Sequence, residues 1–241
     1  MGSGAMMPAM RIYRRFDHTT RLLYIRTISA QLHLLGCVLA LLGAAVLLPR
    51  AYAVSFADLA ACAAFVVTGF FVFLASAVYH FISDGFEASP RLNLLLDNLD
   101  HYGIYLFIAG TYTPFLLHTV APPWRAPLLV AVWLTAILGI TFTSLKPWLP
   151  KMLQHRAFYT GIFLAMGWAM VIRITEILRG MSLQQTALLV SGGLAYTVGA
   201  AIYGTKWPRL FVGVFGYHEV WHVLVLVGAT CHYFLVLSFY S

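Results

Sequence analysis

The chain alternates long apolar runs with short polar segments. The runs lie at roughly Ile28–Leu48, Leu59–His80, Leu99–Val120, Ala126–Ser144, Phe158–Leu178, Thr186–Thr205 and Tyr217–Phe239. A helix needs about 20 mostly apolar residues to cross the hydrocarbon core of a bilayer. The pattern therefore predicts an all-α membrane protein, a seven-transmembrane-helix bundle. The connectors carry helix-breaking punctuation: Pro49, Ser83-Asp84-Gly85 through Pro90, Pro122-Pro123, Pro147 and Pro150, Arg179-Gly180, and Pro208. Residues 1–27 are expected to be a cytoplasmic N-terminal segment and residues 28–241 the transmembrane domain, with no room for a second soluble domain. No cleavable signal is expected before the first run, and MGSGAMM reads as a flexible tag remnant or an unstructured start.

Composition reinforces this picture. Of 241 residues, 61% are hydrophobic and 10% charged, whereas about a quarter are charged in a soluble domain. The net charge of +7 does not indicate nucleic acid, because the basic residues sit between apolar runs, where they act as topology signals. The N-terminus and the second, fourth and sixth loops hold Arg11, Arg14, Arg15, Arg21, Arg26, Arg91, Lys146, Lys151, Arg156, Lys206 and Arg209. The opposite set holds Arg50, Arg125 and Arg179, with Arg173 just inside a span. Eleven against four predicts a cytoplasmic N-terminus and, after seven crossings, a C-terminus outside. Cys37, Cys62 and Cys231 lie in apolar stretches without CxxC pairing and read as small core residues rather than disulfides or thiolate ligands.

Ionisable groups within a bilayer are costly, so their depth is informative. His80 ends the second predicted span, Asp100 begins the third, and His218 and His222 open the seventh, all at the expected cytoplasmic level. His218 and His222 are one helical turn apart on one face, a chelating geometry. Zinc favours imidazole, and a catalytic zinc site uses three protein ligands with an open fourth position, which makes His80 the natural third ligand. Ser76, one turn before His80, is placed to hydrogen-bond a neighbouring ligand or water. Asp100 is the candidate to orient that water and take its proton.

His33 lies at the same depth and is a further candidate ligand or partner of a ligand. His101 points about 100° away from Asp100 around the helix and reads as a lining residue. His18, His118, His155 and His232 read singly as interfacial or packing residues, with His232 about two and a half turns beyond His222. His218-Glu219-Val220-Trp221-His222 also fits the H-E-x-x-H pattern of soluble zinc proteases. No protease scaffold surrounds it, and Glu219 reads as a supporting or interfacial group.

These segments resemble the haemolysin III family, the bacterial branch of the progestin and adipoQ receptor family, which includes the adiponectin receptors and is distantly related to alkaline ceramidases. The resemblance rests on Ser76-Ala77-Val78-Tyr79-His80, on Leu99-Asp100-His101-Tyr102-Gly103-Ile104-Tyr105 through Ala109-Gly110-Thr111-Tyr112-Thr113-Pro114-Phe115, and on His218-Glu219-Val220-Trp221-His222. It implies the same seven-helix plan, a Zn2+ ion held by His80, His218 and His222, Ser76 and Asp100 near the bound water, and a membrane lipid as substrate. It also implies integral insertion in the bacterial inner membrane. The chain departs from bacterial relatives at Arg26-Thr27-Ile28-Ser29 before His33, and at Tyr102 beside the Asp-His pair.

The leading expectation is a zinc-dependent hydrolase of a lipid amide or ester. The alternatives are a receptor-like protein with a structural zinc closed by His33 or Asp100, and a haemolysin, although this chain is too apolar to be soluble before insertion. Bis-histidine haem binding is a fourth reading, but the i, i+4 pair crowds a porphyrin. Nothing in the sequence fixes the oligomeric state.

Overall fold

The computed structural model describes residues 28–86, 88–208, 210 and 215–241. The expected segment 1–27, with its arginines and His18, and Arg209 of the sixth loop lie outside the described residues. The chain folds as an all-α bundle: α1 (Ile28–Val54), α2 (Phe56–Gly85), α3 (Pro90–Thr119), α4 (Pro122–Ser144), α5 (Arg156–Gly167), α6 (Ile174–Arg179), α7 (Leu183–Thr205) and α8 (Tyr217–Leu237). Short 3-10 turns occupy Lys146–Trp148, Trp168–Arg173 and Ser238–Tyr240. Six span-length units among the described residues are long and apolar enough to cross a membrane, one of them Arg156–Arg179, which takes in α5, the second 3-10 turn and α6.

Helix starts follow from local chemistry. Ser55 Oγ accepts from Asp58 N (3.1 Å) at α2, and Ser89 Oγ accepts from Leu92 N (3.3 Å) at α3, where Pro90 takes the first helical position and loses no needed donor. At α7, Ser182 Oγ accepts from Gln185 N (3.2 Å) while Gln185 Oε1 accepts from Ser182 N (2.9 Å), a reciprocal capping box.

Three predicted boundaries need correction. Pro49 does not end the first helix: α1 carries it internally and runs to Val54. The third predicted span begins nine residues early, at Pro90, and this helix is not among the six that qualify as spans by apolarity. It is the central helix, packed against α2, α4, α5 and α8. Its contact with neighbouring protein rather than lipid removes the need for an apolar surface and lets it carry Asp97, Asn98, Asp100, His101, Thr111 and Thr113.

The fifth span is interrupted rather than continuous. Tyr112 Oη on α3 donates towards the Met166 and Gly167 carbonyls (3.1 and 2.8 Å) and accepts from Met170 N (3.0 Å), so a side chain occupies positions that helical backbone bonds would fill.

The described residues form two apolar centres. One joins α1, α2, α3 and α8 through Cys37, Phe65, Val72, Phe73, Phe107 and Val225. The other joins α3, α4, the fifth span, the N-terminal part of α7 and the C-terminal part of α8 through Tyr105, Phe115, Ala136, Ile177, Leu189 and Leu235. Glycines set the closest approaches. A Cβ on Gly103 would lie 2.8 Å from the Val72 Cα, so α2 and α3 are nearly in backbone contact one turn from Ser76 and Asp100. Cys37 and Cys62 are buried free thiols within the first centre, as expected.

Candidate metal centre

The C-terminal turns of α2 and the first turns of α8 bring three histidines to one point. His80 Nε2 lies 3.2 Å from His218 Nε2, and His218 Nε2 lies 2.9 Å from His222 Nε2. One nitrogen from each ring falls within 4.8 Å of the other two, which makes this a group that could hold a metal ion. Ligands of a tetrahedral zinc with bonds of about 2.0–2.1 Å stand about 3.3 Å apart, close to the two Nε2 separations made by His218. His80 and His222 are buried and His218 is half-buried.

The ring orientations are held from behind. His80 Nδ1 is 2.8 Å from Asp84 Oδ2, one turn along α2, a carboxylate–imidazole contact that leaves Nε2 free to bind. His222 Nδ1 is 2.7 Å from His33 Nε2 on α1. Glu219 is committed elsewhere: Oε2 accepts from Gly216 N (2.7 Å), capping α8, and Oε1 accepts from Ser29 Oγ (3.1 Å). That use as a cap agrees with reading it as a supporting group rather than the base of a protease motif.

Ser76 is buried and its hydroxyl faces the Asp100 carboxylate. Both residues, with His33, His218 and His222, line a cavity of about 430 Å³. The cavity runs from the histidines towards the opposite face between α3, the fifth span, α7 and α8. Its wall is largely apolar, including Ile104, Phe107, Phe163, Leu189, Val225 and Leu235.

Of the five residues singled out in the sequence, Ser76, Asp100, His218 and His222 line the cavity, and His80 stands behind them against His218. Among the described residues, the group of donors within ligating reach is His80, His218 and His222. His101 lines the cavity, with Nδ1 donating to the Asp97 carbonyl (2.7 Å). His155 caps α5 by accepting from Ala157 N (3.3 Å), and His118 contacts Asp58 and Tyr240 near the far end of the bundle (both 2.9 Å), consistent with their reading as packing residues.

Sequence reasoning missed two residues. Asp84 passed as loop punctuation, although its spacing of four from His80 was the available signal. Arg156 passed as a topology charge, yet it lines the cavity, donates to the Gly204 carbonyl (3.3 Å) and lies over the Tyr203 and Tyr217 rings (5.3 and 5.7 Å). No pattern in the sequence announces that arrangement.

The fold and site define a polytopic helical membrane protein with a buried histidine cluster at the end of an internal apolar cavity. The chain belongs to the haemolysin-III-related family, whose pattern it matches over residues 24–233. It is similar to hemolysin-3 of Bacillus cereus, 35% identical over 185 residues, covering 74% of this chain and 76% of that protein. It is likewise similar to the hemolysin-3 homolog of Bacillus subtilis, 32% identical over 182 residues, covering 76% and 78%. A more distant similarity links it to an adiponectin receptor protein of Drosophila melanogaster, 30% identical over 158 residues, 60% of this chain and 35% of that protein.

Proposed function

We propose that this protein is a zinc-dependent hydrolase of a lipid amide or ester, with zinc held by His80, His218 and His222. The observation that carries the reading is the convergence of three imidazole Nε2 atoms beside a largely apolar cavity that Ser76 and Asp100 line. Zinc at such a site supplies Lewis acidity, polarising a carbonyl and making water nucleophilic at neutral pH.

The protein's own residues do the rest. The apolar wall holds the acyl chain and keeps bulk water from the reacting bond. Asp100 accepts the proton of the attacking water as the new C–O bond forms, then delivers it to the departing nitrogen or oxygen as the old bond breaks, releasing a carboxylic acid and an amine or alcohol. Ser76 orients Asp100 or the water. Three protein donors would leave a zinc ion a further position for water, which favours hydrolysis over a closed structural site. His33 does not close the site, because its Nε2 is engaged with His222. The distribution of basic residues supports seven crossings with the N-terminus in the cytoplasm, which places the histidines at the cytoplasmic side of the bacterial inner membrane.

The test is incubation of metal-loaded, detergent-purified protein with a panel of ceramides, other N-acyl lipids and acyl esters, reading fatty acid release by mass spectrometry. Wild type is expected to hydrolyse a member of the panel. Asp100→Asn is expected to keep its metal and lose at least about 100-fold in rate, the lower end of general-base contributions. A panel left intact by fully loaded wild type, or an Asp100→Asn variant as fast as wild type, would contradict the proposal.

A further inference from the structure

The first helix contributes no metal donor, yet it makes two polar contacts with the helix that contributes two. Ser29 and His33 are one turn apart on α1. Ser29 Oγ donates to Glu219 Oε1 (3.1 Å), and His33 Nε2 meets His222 Nδ1 (2.7 Å) three residues further along α8. Ser29, His33 and His222 are all buried, and the His33 and His222 ring centroids are 3.9 Å apart. A Cβ on Gly36, just beyond His33, would lie 2.6 Å from the Phe73 ring, so α1 is seated tightly against α2 at this level. The contact between His33 and His222 is therefore fixed by packing on both sides rather than made by a loose side chain.

We infer that His33 is a positioning residue, which holds His222 in the tautomer and ring orientation that direct its Nε2 to the metal. The inference rests on the zinc reading above. A neutral imidazole that offers Nε2 to a metal carries its proton on Nδ1, so His222 Nδ1–H donates and His33 Nε2 accepts. That leaves the proton of His33 on its own Nδ1, an atom that is buried and has no hydrogen-bond partner. With His222 Nε2 given to the metal, the other tautomer of His33 would set two N–H groups against each other. In the metal-bound state the pair thus has one consistent proton assignment, in which His33 Nε2 accepts from His222. His33 plays towards His222 the part that Asp84 plays towards His80, as a neutral acceptor in the dry interior where a carboxylate would be expensive.

The test compares wild type with His33→Phe, His33→Leu and His33→Gln in detergent. Zinc affinity is read by competition with a chromophoric chelator, and thermal unfolding is read on the metal-free proteins. Gln places an acceptor oxygen near the site of the histidine Nε2, whereas Phe and Leu place none, and Leu serves should the phenyl ring not fit. The expected result is zinc binding weakened about 10–100-fold in Phe and Leu, as for other supporting partners of metal ligands, with metal-free unfolding close to wild type and most of the affinity restored in Gln.

Wild-type zinc binding together with equal affinity in His33→Leu would overturn the role of His33 alone. A Gln variant as weak as Leu would overturn the hydrogen bond as its cause. A wild type that binds no zinc would overturn the underlying metal reading.

Discussion

Gly103→Ala tests whether the closeness of α2 and α3 governs the site. The added Cβ would stand 2.8 Å from the Val72 Cα, 3.1 Å from its Cγ2 and 3.2 Å from its Cβ. The nearest of these is backbone, so no rotamer change relieves the clash and the helices must move apart. Replacing glycine by alanine within a helix gains about 0.8–1 kcal/mol of propensity, whereas overpacking a tight contact costs about 1–3 kcal/mol. Because the obstruction is backbone, the upper half of that range applies and the net effect is a destabilisation of about 1–2 kcal/mol. Gly161 on α5 provides the control, since a Cβ there would meet nothing within 4 Å. The same substitution at Gly161 should stabilise by up to about 1 kcal/mol. Reversible unfolding in mixed detergent micelles measures both. Gly103 is one turn from Asp100, and Val72 one turn from Ser76, so the Gly103 variant should also lower any hydrolytic rate while metal binding by α2 and α8 changes little. Equal stability of the two variants, or a stabilised Gly103→Ala, would refute the argument that this contact sets the helix separation.

Asp84→Ala should weaken zinc binding by about tenfold, the low end for a supporting partner, because the Asp84 side chain is 43% exposed while that of His80 is 6% exposed and water screens the charge. Asp84→Asn, which keeps an acceptor, should lose only about threefold, and chelator competition distinguishes the two. Tyr112→Phe removes the hydroxyl that bonds Met166, Gly167 and Met170, which should cost about 1–3 kcal/mol. Hydrogen exchange should then show faster exchange of the Met170 amide, and protection unchanged from wild type would contradict the assigned cause of the interruption in the fifth span.

Hydropathy made the bundle legible because lipid-facing surface must be apolar, and it located α1, α2, α4, α7 and α8 well. It was least informative for α3, whose surroundings are protein, so that Asp97 and Asp100 no longer mark a boundary and the helix starts at Pro90. The interruption near Trp168 was hidden because it depends on Tyr112, 54 or more residues away in sequence. The histidine cluster was legible from depth and from the spacing of His218 and His222, since membrane crossing restricts where polar groups converge. What supports the cluster was legible only in part. His33 was noticed at the right depth, but whether it binds a metal or a ligand's far nitrogen depends on the packing of α1 against α8. Glu219 read as a supporting or interfacial group, but its use as a helix cap was hidden because it is settled by Gly216 and Ser29. Arg156 counted as a loop charge because nothing local reveals the Tyr203 and Tyr217 rings beneath it.

The most direct test of the central claim is metal content by elemental mass spectrometry on detergent-purified wild type beside His80→Ala and the His218→Ala/His222→Ala double variant. The account predicts a single zinc ion per wild-type chain, absent from both variants while each remains folded. Wild-type protein free of zinc when purified without chelators, or variants that keep the wild-type zinc content, would contradict it.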